Sequence, residues 1–325
     1  MAELYPLQFE PLFRRYLWGG RRLATVLGKP LGEGEDYAES WEVVDHGEDQ
    51  SIVADGPLRG QTLGQLVRSQ GPELFGRHEP PSQFPLLFKF LDAHRNLSVQ
   101  VHPDDAAAAR LDPPDLGKTE AWVVLHAEPG GRIYAGLKRG FDRAALEREV
   151  RRGTTELCLH AFEPRVGDCV FVPAGTVHAL GAGLVVAEIQ QASDTTFRLF
   201  DWNRLGSDGL PRPLHVEAAL EAIDYDAGPV APRTPQPTEN PAVERLVACD
   251  KFVLDRRRLD PSHTQVVGGD DRFHILAVLG GQLTLQSRLA PIPLRLGDTL
   301  LLPASEPATG LASADGAVLL DMYLP

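Results

Sequence analysis

Val166-Gly167-Asp168-Cys169-Val170-Phe171-Val172-Pro173-Ala174-Gly175 and, far downstream, Leu296-Gly297-Asp298-Thr299-Leu300-Leu301-Leu302-Pro303-Ala304-Ser305 are two renderings of one pattern. Each is a Gly-Asp turn, a four-residue apolar run and a Pro-Ala turn. Glycine accepts the positive φ that tight turns need, and so short an apolar run between turn signals reads as a strand rather than a helix. A unit repeated in this way predicts two copies of one β fold. The copies diverge just afterwards, at Thr176-Val177-His178 against Glu306-Pro307-Ala308, so only the first carries a histidine there.

Working outward, 27 prolines and 31 glycines break the chain of 325 residues into short apolar stretches. Those at 84–91, 97–101, 121–125, 169–172 and 184–189 are rich in Val, Leu, Phe and Ile and too short for typical helices. Further strands are expected at 273–279, 282–285 and 299–302. The fold class is therefore mainly β, with sandwich or barrel strands. Helices are expected at 62–75, 104–111, 142–152 and 215–223, where good helix formers carry apolar spacings near 3.6, and Asp104 or Asp105 can cap one of them. The proline-rich stretch 226–241 lacks apolar periodicity and reads as an extended linker. Two domains follow, residues 1–235 and 236–325, and only the first is equipped for a metal.

Composition narrows the function classes. The formal charge of −13, with 45 acidic against 32 basic side chains and no basic block, argues against nucleic acid as a partner. A small anion remains compatible, because a few converging cations govern the field within one pocket. No stretch is long and apolar enough to span a membrane, and the first ten residues do not read as a secretory leader, so a cytoplasmic protein is expected. Cys158, Cys169 and Cys249 match no disulfide or zinc-knuckle spacing and read as reduced, mostly buried thiols.

The chemistry-bearing residues sit at alternate positions. Ser98, Gln100 and His102 share one face of a strand whose other face carries Leu97, Val99 and Val101. Lys118 and Glu120 alternate in the same way ahead of an apolar strand, whereas His126 at that strand's end reads as structural. His178 follows the Pro-Ala-Gly turn of the repeated unit. Zinc takes nitrogen and oxygen ligands and, in catalytic sites, keeps one position open. Inward positions of a barrel converge, so Gln100, His102, Glu120 and His178 form a candidate metal set.

The stretch 188–202, Glu-Ile-Gln-Gln-Ala-Ser-Asp-Thr-Thr-Phe-Arg-Leu-Phe-Asp-Trp, is dense in polar groups although it follows an apolar strand. With it the sequence resembles the short bacterial form of the type I mannose-6-phosphate isomerases, a family of zinc-dependent cupins. The likeness rests on Trp18-Gly19-Gly20, Ala38-Glu39-Ser40-Trp41-Glu42, Phe84-Pro85-Leu86-Leu87-Phe88-Lys89, the Gln-Val-His-Pro-Asp-Asp and Gly-Lys-Thr-Glu-Ala-Trp motifs, 172–180 and 188–202, all in order. Beyond residue 240 it is looser.

The resemblance implies two cupin (jelly-roll) β-barrel domains with a few helices packed on the first, and one Zn2+ per chain. It puts the zinc ligands on Gln100, His102, Glu120 and His178, with Gln100 either in contact or just outside the shell. It makes Arg198 and Lys118 active-site cations and places Ser98, Lys89 and Asp194 along the substrate cleft. Its substrate would be a small sugar phosphate, with neither nucleic acid nor membrane as partner and a monomer or weak homo-oligomer as the assembly. The activity implied is interconversion of mannose 6-phosphate and fructose 6-phosphate through an enediol. Some longer members carry a tyrosine two positions past the second histidine ligand, where this chain has Leu180.

Glu188 follows a buried strand close to His178, and desolvation there is expected to raise its pKa and suit it to proton shuttling. Arg198 suits either the enediolate or the phosphate, and Lys118 and Ser98 are further phosphate-side candidates. Trp18, Trp41 and Trp202 read as core aromatics. Two other functions share the ligand types: an iron dioxygenase on the same barrel, and a sugar-binding cupin without turnover.

Overall fold

The repeated turn is reproduced bond for bond in the computed structural model, which describes residues 3–206 and 209–325. Gly167 and Gly297 take φ of 91° and 87°, the region a type II turn demands of its third residue. In the first copy the Asp168 N–H donates to the Arg165 carbonyl, and the Asp168 carboxylate accepts from the Arg165 N–H at 2.8 Å. Asp298 does the same with Arg295, at 2.9 Å for the carboxylate bond. The strands that follow are Cys169–Val172 and Thr299–Leu302.

In the first half, two antiparallel sheets face each other. The six-stranded sheet runs in the order Cys169–Val172, Glu120–Ala127, Leu184–Gln191, Leu86–Ala93, Tyr37–Val43, Leu12–Gly20. The five-stranded sheet runs Leu159–Phe162, Ile133–Leu137, His178–Leu180, Val99–Val101, Phe197–Phe200. Between them Leu91, Trp122, Val124, Val172, Leu184 and Val186 pack against Ile133, Ala135 and Leu180. Helices Arg143–Arg152 and Val216–Ala222 lie over the outer face of the smaller sheet, around Val99, Val101, Leu199 and Leu220.

The larger sheet is buried on both faces. Its outer residues, among them Phe88, Phe90, Val123, Ala187 and Ile189, join a core with Leu66 and Phe75 of the amino-terminal helices and with Phe252, Phe273, Ile275 and Met322 of the carboxy-terminal part. Rings of Phe75, Phe84 and Phe273 meet with centroids 4.8–5.8 Å apart. An antiparallel bridge between Leu7 and Leu301 adds backbone pairing across the same seam. The nine-stranded sheet of the second half draws only on residues from Gln236 to Tyr323 and curls around an apolar interior of leucines and valines.

Three expectations shift in detail. The helix over 62–75 divides into Leu63–Ser69 and Gly71–Phe75, because Pro72 has no N–H to continue the ladder. The strands at 273–279 and 282–285 are one strand, His274–Gln286, bent at Gly280-Gly281. A Cβ on Gly281 would lie 2.2 Å from the Gly316 carbonyl oxygen, so only glycine allows the bend. The stretch 226–241 is extended but stitched down: Val230 N–H donates to Ala135 O and Arg233 N–H to Cys169 O, both from residues between the prolines. All three cysteines are free thiols, Cys158 and Cys169 buried and Cys249 partly so. Among the described residues no helix is long and apolar enough to cross a membrane.

Candidate metal centre

The two-residue period of the strands decides which side chains meet. On Leu184–Gln191, Leu184 and Val186 face the space between the sheets while Val185, Ala187 and Ile189 face the other core, so Glu188 points inward. The same alternation turns Glu120 inward with Trp122 and Val124, and Lys89 inward with Leu91. On the opposite sheet Val99, Val101, Ala179 and Leu199 pack outward against the helices, leaving Gln100, His178 and Arg198 on the inner face. Register brings these together: Gln100 pairs with His178 on one side and Arg198 on the other.

His102, Glu120 and His178 converge, one ligand atom from each lying within 4.8 Å of the others, and all three are buried. His102 Nε2 is 3.6 Å from Glu120 Oε2, and His178 Nε2 is 3.2 Å from Glu120 Oε1. The His102 Nδ1–H donates to the Thr195 carbonyl at 2.9 Å and the His178 Nδ1–H to the Thr176 carbonyl at 2.8 Å. A carbonyl can only accept, so both rings carry their proton on Nδ1 and present the Nε2 lone pair to the cluster. Burial lowers both pKa values, His178 to about 4, and Lys118 pushes His102 down further. Neither oxygen of Glu120 accepts a hydrogen bond although both are buried. Two neutral imidazoles and a carboxylate with unsatisfied oxygens suit a divalent cation of the zinc type. The Gln100 amide nitrogen lies 3.3 Å from His178 Nε2, so in this rotamer it donates to the ring, and exchanging its N and O would turn an oxygen to the cluster.

The cluster opens into a cavity of about 290 Å³ lined by Lys89, Ser98, Gln100, Lys118, His178, Glu188, Asp194 and Arg198, with His102 and Glu120 behind it. Lys118 Nζ is 3.1 Å from Glu120 and 3.2 Å from His102 Nε2, which puts its charge at the cluster. Lys89 lies between Glu188 at 3.3 Å and Glu39 at 3.7 Å. Glu188 Oε2 accepts from Trp122 Nε1, while its Oε1 takes no hydrogen bond. Burial alone would raise the Glu188 pKa, as the sequence led us to expect. The charges of Lys89 and Lys118 outweigh it and hold Glu188 below its ordinary range, while burial keeps neighbouring Glu120 above its own.

Arg212 also lines the cavity but forks onto Asp201, at 2.8 and 2.6 Å. Among the described residues, Arg198 is the lining cation without a carboxylate partner: one guanidinium nitrogen reaches the Pro213 carbonyl and its buried Nε donates to nothing. Burial, then nearby Arg212, lowers its pKa. Asp194 is exposed at the rim.

Several lining residues escaped the sequence reading. Trp18 is a core residue, as expected, but it also lines the cavity together with Tyr16, and their rings stack at 5.5 Å. Tyr16 and Trp18 occupy alternate positions of a strand, the signal that would have paired them. Glu39 and Thr196 lay inside quoted motifs but were not singled out, and Arg212 lies in a loop where spacing carries no directional information.

The register of the second sheet sets His274 opposite Leu302 as Glu120 is opposite Val172, and Asp321 opposite Leu276 as Glu188 is opposite Trp122. There His274 Nδ1 meets Asp321 at 2.6 Å and its Nε2 meets Asp270 at 3.0 Å. Asp270 lies four residues upstream and Asp321 on the last strand, so no short motif joins them.

Facing jelly-roll sheets with an inward His-Glu-His cluster, opening on a pocket of cations, define a cupin with a single candidate metal centre among the described residues. Residues 6–129 match the catalytic-domain family described as phosphomannose isomerase type I. The mannose-6-phosphate isomerase ManA of Bacillus subtilis is 33% identical over 303 residues, covering 92% of this chain and 93% of that one. The mannose-6-phosphate isomerase of Streptococcus mutans is 34% identical over 303 residues, covering 93% of each. The crystal structure of a mannose 6-phosphate isomerase from Bacillus subtilis superposes with a TM-score of 0.89 at 30% identity, covering 98% of this chain and 99% of that one. The chain belongs to the type I phosphomannose isomerase family.

Proposed function

We propose that this chain is an aldose-ketose isomerase that interconverts mannose 6-phosphate and fructose 6-phosphate, using one zinc ion held by His102, Glu120 and His178. Its catalytic unit is residues 1–235, and residues 236–325 form a metal-free cupin domain that supports it. The observation that carries the reading is the His-Glu-His cluster opening on a pocket that Arg198 also lines, the lining cation without a carboxylate partner among the described residues. Zinc bound there supplies a Lewis acid for the sugar's carbonyl and hydroxyl oxygens. Gln100 stays beside His178, as a fourth ligand or just outside the shell.

Glu188 is the base: its ionised carboxylate takes the proton from the second carbon of the aldose and returns it to the first, with an enediolate between the two steps, while the hydroxyl proton passes from the oxygen on the second carbon to the oxygen on the first. Trp122 fixes one of its oxygens, and the other, beside the Lys89 ammonium at 3.3 Å, is the one that takes up the proton. Lys89, sandwiched between Glu39 and Glu188, keeps Glu188 charged and oriented at the cleft wall. Lys118 places an ammonium beside the oxygens on which charge develops. Arg198 is suited to the phosphate, because its guanidinium has donors to spare, with Ser98 and Asp194 further along the cleft.

Family membership favours this reading over the iron dioxygenase and the non-catalytic sugar-binding cupin. Incubating zinc-loaded protein with mannose 6-phosphate should yield fructose 6-phosphate under anaerobic conditions. Binding without conversion, or conversion only with oxygen and iron, would overturn it.

A further inference from the structure

We infer that Asp115 is a positioning residue of the metal centre, gripping the Ser193 and Thr195 hydroxyls and so fixing the backbone carbonyl that orients His102. The inference rests on the metal-site reading above and adds to it a residue that lines neither the cavity nor the cluster.

The two histidines are oriented by different means. His178 donates to a carbonyl only two residues away, in its own turn, so local backbone sets its ring. His102 donates to Thr195, 93 residues further along the chain, in the stretch 193–196 that belongs to no strand. Nothing in the strand leading to His102 holds that carbonyl.

Asp115 does. Its Oδ2 accepts from Thr195 Oγ1 at 2.6 Å and from Ser193 Oγ at 2.8 Å, and Ser193 Oγ accepts in turn from the Thr195 N–H at 3.2 Å. Its Oδ1 accepts from the Leu116 N–H at 2.8 Å, with His46 Nε2 at 3.3 Å. The Asp115 side chain is 15% exposed, so these charge-assisted bonds are largely shielded from water. The same carboxylate heads the segment that runs through Lys118 to Glu120. Thr119 in that segment exchanges bonds with Gln191, its N–H donating to the side-chain oxygen at 3.1 Å and its carbonyl accepting from the Gln191 N–H at 3.2 Å. Asp115 thus ties the approach to one ligand to the loop that orients another. Outer partners of ligating histidines hold tautomer and ring angle, and their loss is felt as weaker metal retention.

The test is release of zinc from the loaded protein to a chelating dye, with circular dichroism and apo-protein melting recorded alongside. Asp115→Ala and Thr195→Val should each release zinc about 10-fold faster or more, the lower end for an outer-shell partner. Asp115→Asn should recover part of the loss, because its amide oxygen still accepts the threonine hydroxyl. Combining Asp115→Ala with Thr195→Val should add little to Asp115→Ala alone, since the bond that Thr195→Val removes is already gone there, whereas a general loosening of the fold would multiply the two effects. Release at the wild-type rate from folded Asp115→Ala, or multiplying effects, would overturn the inference. If Asp115→Ala does not fold, Asp115→Asn and Thr195→Val carry the same cycle, and wild-type release from Thr195→Val overturns it. His102→Ala separates the two levels: should it retain zinc like the wild type, the metal site itself is wrong, whereas zinc lost there but not from the Asp115 variants removes only Asp115.

Discussion

At the scale of residues, Glu188 and Arg198 have separable duties. Glu188→Gln keeps size and the tryptophan contact but removes the base, so turnover should fall by roughly 100-fold or more with zinc content unchanged, as kinetics and metal analysis would show. Unchanged turnover would remove Glu188 from the mechanism. Arg198→Ala should act differently, raising KM for the phosphorylated sugar by about 10-fold or more through loss of a charge-assisted pair. A fall in kcat at constant KM would instead place Arg198 at the reacting carbons. Much of this site was legible because Ser98, Gln100 and His102, or Lys118 and Glu120, alternate with apolar neighbours, and a strand turns alternation into direction. Glu188 was legible by position but not in its ionisation: burial was visible from the apolar strand, while Lys89 approaches from another strand and Lys118 from the segment that leads into a third.

At the scale of elements, turn chemistry carried the most information. The Gly-Asp turns of 166–168 and 296–298 specify their hydrogen bonds locally, and so the echo between the two halves survived into the structure. Helix ends were equally local: Asp142 caps Arg143–Arg152 by accepting from the Ala145 N–H at 2.8 Å, and Gly153 closes it at φ 72°. Asp142→Ala should cost about 1 kcal/mol in denaturant unfolding and leave turnover alone, since that helix covers the outer face of the sheet. A large loss of turnover would tie that helix to the site. Pro72 breaks the helix expected over 62–75 locally, whereas the strand expected to stop at 279 was misjudged because its bounds depend on distant partners. His274–Gln286 continues through two glycines because the strands Ala317–Tyr323 and Pro291–Arg295 pair with it on either side of the bend.

At the scale of the whole molecule, the second barrel repeats the framework of the first with its polar positions closed on themselves. His274 is held between Asp321 and Asp270, Arg257 takes the other Asp321 oxygen at 2.8 Å, Arg272 pairs with Asp270, and the Tyr323 ring lies alongside at 5.0 Å. Burial opposes charge on His274, but Asp321 and Asp270 raise its pKa to about 9, and Asp321 falls to about 2. A folded-state pKa above the unfolded value means that the contribution is complete below about pH 6.5 and is lost as the pH rises through about 9. On the acid side it persists until the pH falls through about 2. Denaturant midpoints should thus decline from neutral toward alkaline pH in the wild type and follow a flatter course in His274→Gln. Parallel slopes would contradict this. The shared core predicts that the halves unfold together: Phe273→Ala, emptying the contact with Phe75 and Phe84, should cost about 3–5 kcal/mol in one cooperative transition.

Beneath these predictions lies the claim that one divalent ion held by His102, Glu120 and His178 makes the chain an isomerase. Titrating zinc back into stripped protein while following conversion of mannose 6-phosphate tests it most directly. Turnover should rise in proportion to zinc and level off at one equivalent per chain, and it should stay absent in His102→Ala. Turnover by stripped protein, or full turnover in His102→Ala, would contradict the account.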